Sequence, residues 1–170
     1  RSIPLMAVTK TVQPVLINHI ISLGVGLIGE NKVQELLCKL EYLKTDNLDM
    51  HIIGHLQSNK VRKIIDVVSM IQSLDSISLA EEISKQAQKN SLTMKVLMEI
   101  NIGREESKTG FPPEECIERA FQIAEMPGIS LPPTPLTISE LAVLALLMRI
   151  WIAATTTAQA RYLQHSRPVH

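Results

Sequence analysis

The chain has 170 residues, 45% of them hydrophobic, enough for one domain whose core needs no disulfide or metal staples. Its 17 basic and 17 acidic side chains cancel, which excludes the long-range field that draws a protein to nucleic acid or to an anionic membrane. The two cysteines, Cys38 and Cys116, stand far apart without metal-ligand spacing, the pattern of free thiols in a reducing compartment, so the cytoplasm is the expected location.

Apolar runs of strand length occur at residues 5–8, 25–28, 50–53, 67–71 and 96–100, with a weaker candidate at 129–131. Helical patterns fill the gaps. Segment 14–23 carries Val15, Leu16, Ile20 and Leu23 at helical spacing, and segment 31–43 carries Val33, Leu36, Leu37, Leu40 and Leu43. Ser78-Leu-Ala-Glu81 is a capping-box pattern that opens a helix running through Asn90, and Pro112-Pro113 opens another that reaches about Glu125. This alternation predicts right-handed crossovers and a parallel sheet covered by helices, either a barrel or a doubly wound sheet. The longest apolar stretch, 141–154, is interrupted by Arg149 and falls short of the roughly 20 residues a bilayer span needs. No secretory leader is visible, and because the chain opens almost directly on a strand, an element preceding it is expected.

Each apolar run finishes in polar residues: Lys10; Glu30 and Asn31; His55 with Gln57, Ser58, Asn59 and Lys60; Ser73 and Asp75; and Asn101. Parallel strands point one way, so these residues collect on the face where barrel enzymes place their chemistry. Lys10 is the sharpest candidate. It ends a run that reads as a buried strand, and burial lowers an amine pKa and leaves the amine nucleophilic toward a carbonyl cofactor. Met6, Val8 and Lys10 share one side of the first strand, while Glu99 and Asn101 share one side of the fifth. The competing account is that a strand-end lysine reaches solvent and that the other polar residues cap helices, as Ser76, Ser78 or Asn59 would.

Three other patterns carry less. Gly24-Val-Gly26-Leu-Ile-Gly29 has the spacing of a dinucleotide fingerprint, but the glycines straddle a strand that follows a helix instead of opening a helix after a strand. Lys60, Arg62 and Lys63 form a small basic cluster at the start of a helix and read as a solvated face, with only 3% aromatic residues to stack a base. His19, His51, His165 and His170 are scattered, so no metal site is expected, and His51 reads as a packed, hydrogen-bonded core residue.

The runs Leu5-Met-Ala-Val-Thr-Lys10-Thr11, Gly29-Glu-Asn-Lys-Val-Gln-Glu35, His51-Ile-Ile-Gly-His-Leu-Gln-Ser-Asn-Lys60, Ser73-Leu-Asp-Ser76 and Asn101-Ile-Gly-Arg-Glu-Glu-Ser-Lys108-Thr-Gly110 lie within residues 3–131. Together, in order and spacing, they resemble the pyridoxal phosphate homeostasis protein family. The resemblance implies a parallel (β/α) barrel of the TIM type, similar to the N-terminal domain of alanine racemase, that holds pyridoxal 5'-phosphate (PLP) as a Schiff base. Lys10 stands in the family's Ala-Val-Ser/Thr-Lys context and inherits the covalent bond. Asn31, His55 and Asn101 are the candidates to orient the ring or its waters. The family has no established turnover, which implies a carrier or buffer of PLP in vitamin B6 homeostasis, with PLP-dependent apoenzymes as recipients. The chain is expected to be a monomer. The alternatives are a small PLP-dependent racemase or decarboxylase, or a truncated fragment that no longer retains PLP. A racemase needs an acid or base on the opposite face of the cofactor, supplied in alanine racemase by a second domain and a dimer partner, and this chain has no room for that domain.

The resemblance stops near Leu131. From Pro132 onward there is no lysine, no glycine and one acid, Glu140. The expected organisation is an incomplete barrel, about five to six of eight strands, over residues 1–131, and a divergent, truncated or frame-shifted tail over 132–170. Thr137-Ile-Ser-Glu140 predicts one tail helix over about 138–154, with a loose segment after it. Phosphate loops use glycine to bring backbone N–H groups to the anion, so the family's phosphate grip is expected to be absent.

Overall fold

A computed structural model describes residues 5–103 and 109–132. The chain divides into two units, Arg1–Pro132 and Pro133–His170. The expected tail helix and Lys108 of the fifth motif lie outside the described residues.

Among the described residues eleven elements follow one another along the first unit. They are β1 (Ala7–Val8), α1 (Pro14–Ser22), β2 (Leu27–Glu30), α2 (Val33–Leu40), β3 (Asp49–Ile52), a 3-10 helix (Ser58–Lys63), β4 (Met70–Leu74), α3 (Ile77–Lys89), β5 (Met94–Met98), α4 (Cys116–Ala124) and β6 (Ile129–Ser130). The six strands are all parallel and lie in the order β1-β2-β3-β4-β5-β6. This order decides between the two expected architectures. A doubly wound sheet reverses strand order at a switch point, whereas an arc of a barrel keeps it sequential, as here. Among the described residues the arc is an open sheet.

Side-chain alternation explains where the core sits. Ile28, Met50, Ile52, Ile71, Met94 and Val96 project from one face and are buried with Ile17, Val33, Leu36, Leu79, Ile83 and Ile123 of the helices in a single cluster. Each such side chain contributes about 1.5–3 kcal/mol on leaving water. The other face, the inner face of the arc, stays open: Val8 is 50% exposed and Leu97 39%.

Several boundaries differ from the sequence reading for physical reasons. The run 67–71 does not start a strand at Val67; Val67 and Val68 belong to a turn, closed by N–H bonds to Ile64 O, and β4 begins at Met70. Helix α3 is capped by Ser76, whose hydroxyl accepts from Leu79 N–H, and not by a box on Ser78. Pro112 and Pro113 open a turn, and α4 proper begins at Cys116. The basic cluster Lys60, Arg62 and Lys63 sits on the 3-10 helix. Gly24 belongs to the end of α1. At φ +97° its N–H bonds to Ile21 O while Val25 N–H bonds to Ile20 O, a left-handed helix stop that favours glycine.

Candidate functional site

The strand ends gather as their parallel direction requires. Lys10 follows β1, Asn31 follows β2, His55 lies beyond β3, Asp75 follows β4, and Asn101 lies beyond β5, all at the C-terminal edge of one sheet. Lys10 is exposed, contrary to the expectation that a buried strand would desolvate it. The physical reason is parity. Met6, Val8 and Lys10 occupy the open inner face, and the buried residue is the intervening Thr9, which turns toward the helices.

Asn31 is half-buried and held close to β3. A Cβ added at Gly54 would lie 2.7 Å from Asn31 O and 2.9 Å from its Cα, so only glycine lets the two strand ends approach this closely. Next to it, His55 Nδ1 lies 2.8 Å from Asp75 Oδ2, so the ring N–H donates to the carboxylate. The Asp75 side chain is buried while that of His55 is about half exposed, so the carboxylate anchors one edge of the ring. Ser73 Oγ donates to Gly54 O at 2.7 Å and ties the ends of β3 and β4 together. Asn101 is half-buried; its N–H donates to Phe111 O, and Phe111 N–H donates to Glu99 O, so the segment near Phe111 extends the edge of β5.

On the inner face beneath this edge, Gln72 Nε2 lies 2.8 Å from His51 Nδ1 and 3.9 Å from Met6 Sδ. Burial pushes the His51 pKa down, and a neutral imidazole accepts at Nδ1 from the amide. His51 is therefore hydrogen-bonded as expected, but half-buried on the inner face instead of packed in the main core.

A buried ionic cluster lies behind the end of β1, and sequence reasoning missed it. Lys39 Nζ donates to Glu30 Oε1 at 2.7 Å, to Glu35 Oε1 at 2.7 Å and to Thr9 O at 2.8 Å. Thr9 Oγ1 donates to Glu30 Oε1 at 2.7 Å, and Thr11 N–H donates to Glu35 Oε1. Burial of the Lys39 ammonium works against its charge, but bonds to Glu30 and Glu35 outweigh it and raise the pKa. The Glu35 carboxyl is held below its ordinary range by Lys39 first and by the Thr11 N–H second. Two signals could have found the cluster. Glu30 shares the buried side of its strand with Ile28, a place where a carboxyl needs a partner, and Glu35 and Lys39 are four apart on a helix.

Among the described residues no group of three or more histidine, cysteine or carboxylate side chains could hold a metal ion, and no helix is long and apolar enough to cross a membrane. Cys38 is exposed and Cys116 half-buried, both as free thiols, and burial raises the Cys116 pKa.

The sequence and fold have known relatives. The pyridoxal phosphate homeostasis protein of Aquifex aeolicus is 42% identical over 127 residues, covering 75% of this chain and 56% of the relative. The chain thus spans little more than half the length of that relative. A solved protein from Bifidobacterium adolescentis is 40% identical with a TM-score of 0.71, covering 76% of this chain and 56% of the other. PipY of Synechococcus elongatus, solved with PLP bound, is 26% identical with a TM-score of 0.66, covering 92% of this chain and 75% of PipY. The family described as alanine racemase, N-terminal domain, matches residues 2–132, and the chain belongs to that family.

Proposed function

We propose that this chain carries the PLP-binding half of a vitamin B6 homeostasis protein, with Lys10 as the residue that bonds covalently to the cofactor. The observation that carries the reading is the place of Lys10: a lysine at the end of β1 on the inner face, exposed at the same C-terminal sheet edge as Asn31, His55 and Asn101. The aldehyde end of PLP fits this donor set. When bound, PLP supplies a carbonyl carbon open to attack by a neutral amine. Asn31 and Asn101 offer amide groups to the ring and its waters, and His55, held by Asp75, offers a fixed imidazole.

The residues after Pro132 contain no glycine from which to build an anion-binding loop. Holding without turnover is the role proposed, with release to PLP-dependent apoenzymes in the cytoplasm and the chain acting as a monomer. Its support is the naming of the curated relatives for homeostasis and the PLP found in PipY.

The test is a PLP titration of the 170-residue chain followed by visible absorbance. A band that disappears in Lys10→Ala is expected. An affinity no better than that of free lysine would end the claim. Amino-acid racemisation or decarboxylation dependent on Lys10 would replace the carrier by an enzyme.

A further inference from the structure

We propose that Glu30, Glu35 and Lys39 form a clamp whose task is to aim Lys10, making Glu35 and Lys39 positioning residues for its amine; the proposal rests on the reading of Lys10 as the cofactor lysine. The clamp acts on both neighbours of Lys10 and leaves Lys10 itself alone. All three ammonium protons of Lys39 are spent, on Thr9 O, Glu30 Oε1 and Glu35 Oε1. Glu30 takes the Thr9 hydroxyl as well, and Glu35 takes the Thr11 N–H. Residues 9 and 11 are thereby fixed from the helix side of the sheet, while the Lys10 side chain stands exposed on the other side.

Two further observations argue that holding this short segment is the purpose of the cluster. Thr11 sits at φ +62° in the turn closed by Val12 N–H on Thr9 O, a left-handed conformation costly for a β-branched residue, and the Glu35 carboxylate on its N–H helps hold it there. Glu30 stands in sheet register with Ile52, which pairs with Ile71, which pairs with Val96. A carboxyl in an otherwise aliphatic row adds nothing to packing that a leucine would not. Its partners explain it: the row is interrupted where β1 must be gripped.

The chemistry benefits from a fixed backbone. The Lys10 nitrogen has to bond to the aldehyde carbon while the aldehyde oxygen leaves as water. A flexible side chain reaches that carbon more often when its Cα cannot wander.

The test compares the wild-type chain, Glu35→Ala and Glu35→Gln. Glu35 is chosen because it is a quarter exposed and its loss does not strand a buried charge. Each chain is mixed with PLP, reduced with borohydride, digested and analysed by mass spectrometry for label at Lys10 relative to the exposed Lys89. Hydrogen exchange of the Thr11 amide is followed without PLP, with the Ile71 amide as the control for global folding. Glu35→Ala should lower the Lys10-to-Lys89 ratio at least about fivefold and speed Thr11 exchange at least about tenfold with Ile71 unchanged. Glu35→Gln keeps an acceptor for Thr11 N–H and should retain most of the wild-type ratio. An unchanged ratio or unchanged Thr11 exchange in Glu35→Ala overturns the clamp, as does equal loss in both variants. If wild-type Lys10 takes no label, the PLP reading falls, and the Thr11 exchange decides by itself whether the clamp exists.

Discussion

Replacing Lys39 by Met tests how much the ionic cluster contributes to folding. The Lys39 side chain is 9% exposed and that of Glu30 1%, so the substitution leaves a buried carboxyl with the Thr9 hydroxyl as its remaining partner; Glu30 Oε2 already has none. Removing one member of a buried pair costs about 3–5 kcal/mol, because the survivor keeps its desolvation penalty and loses the attraction that offset it. For a domain of this size that is a fall in Tm on the order of 10–20 °C. The double variant Glu30→Leu/Lys39→Met removes both charges and continues the aliphatic row of Ile52, Ile71 and Val96, so it should recover most of the loss. Urea unfolding followed by circular dichroism measures both. A Lys39→Met variant within about 1 kcal/mol of wild type, or a double variant no more stable than the single one, would refute the reasoning.

Acid should weaken the same corner. Because the folded-state pKa of Glu35 lies below its ordinary 4.5, the unfolded chain binds the proton first; the stabilisation is present above that value and is lost as pH falls through the folded pKa. Glu35→Gln should flatten the decline of the urea midpoint between about pH 6 and about pH 3. Gly54→Ala forces a Cβ against the Asn31 backbone and should cost about 1–3 kcal/mol while moving the Asn31 amide resonance. Gly29→Ala, whose Cβ meets only the side chains of Ile53 and Met6 at 3.1 Å, should be milder in the same assay. Ile71→Ala empties a fully buried position and should cost about 2–5 kcal/mol. By contrast, Lys95→Ala on the exposed face should stay within about 0.5 kcal/mol. Ser76→Ala should lose about 1 kcal/mol by removing the cap of α3, and Ser78→Ala should not.

The apolar runs overlap all six strands among the described residues, the fourth only at Met70 and Ile71, and put Lys10, Asn31, His55 and Asn101 beyond their ends, because a parallel sheet with one covered face writes its burial into the chain. The same reading cannot separate an apolar residue buried by pairing from one buried by a turn. Val68 is nearly as buried as Ile71, yet one lies in a turn and the other in β4. Ser76 and Ser78 are two residues apart and both hydroxyl-bearing, and only the extended backbone at Ser76 selects the cap.

The linear pattern thus settled matters that depend on one strand or helix at a time: which segments form strands and helices, that Met6, Val8 and Lys10 share one side of β1, and which family the motifs resemble. Relations across the sheet were decided only by the fold. Thr9, Glu30, Glu35 and Lys39 meet because strand pairing lays β1 against β2 and α2 packs behind them, bringing polar atoms of residues that lie 21 and 30 positions apart in sequence within hydrogen-bonding distance. His55 meets Asp75 through the pairing of β3 with β4. Exposure of Lys10 follows likewise from which face the helices cover. No local propensity encodes these contacts, since each exists only when separate elements are brought together.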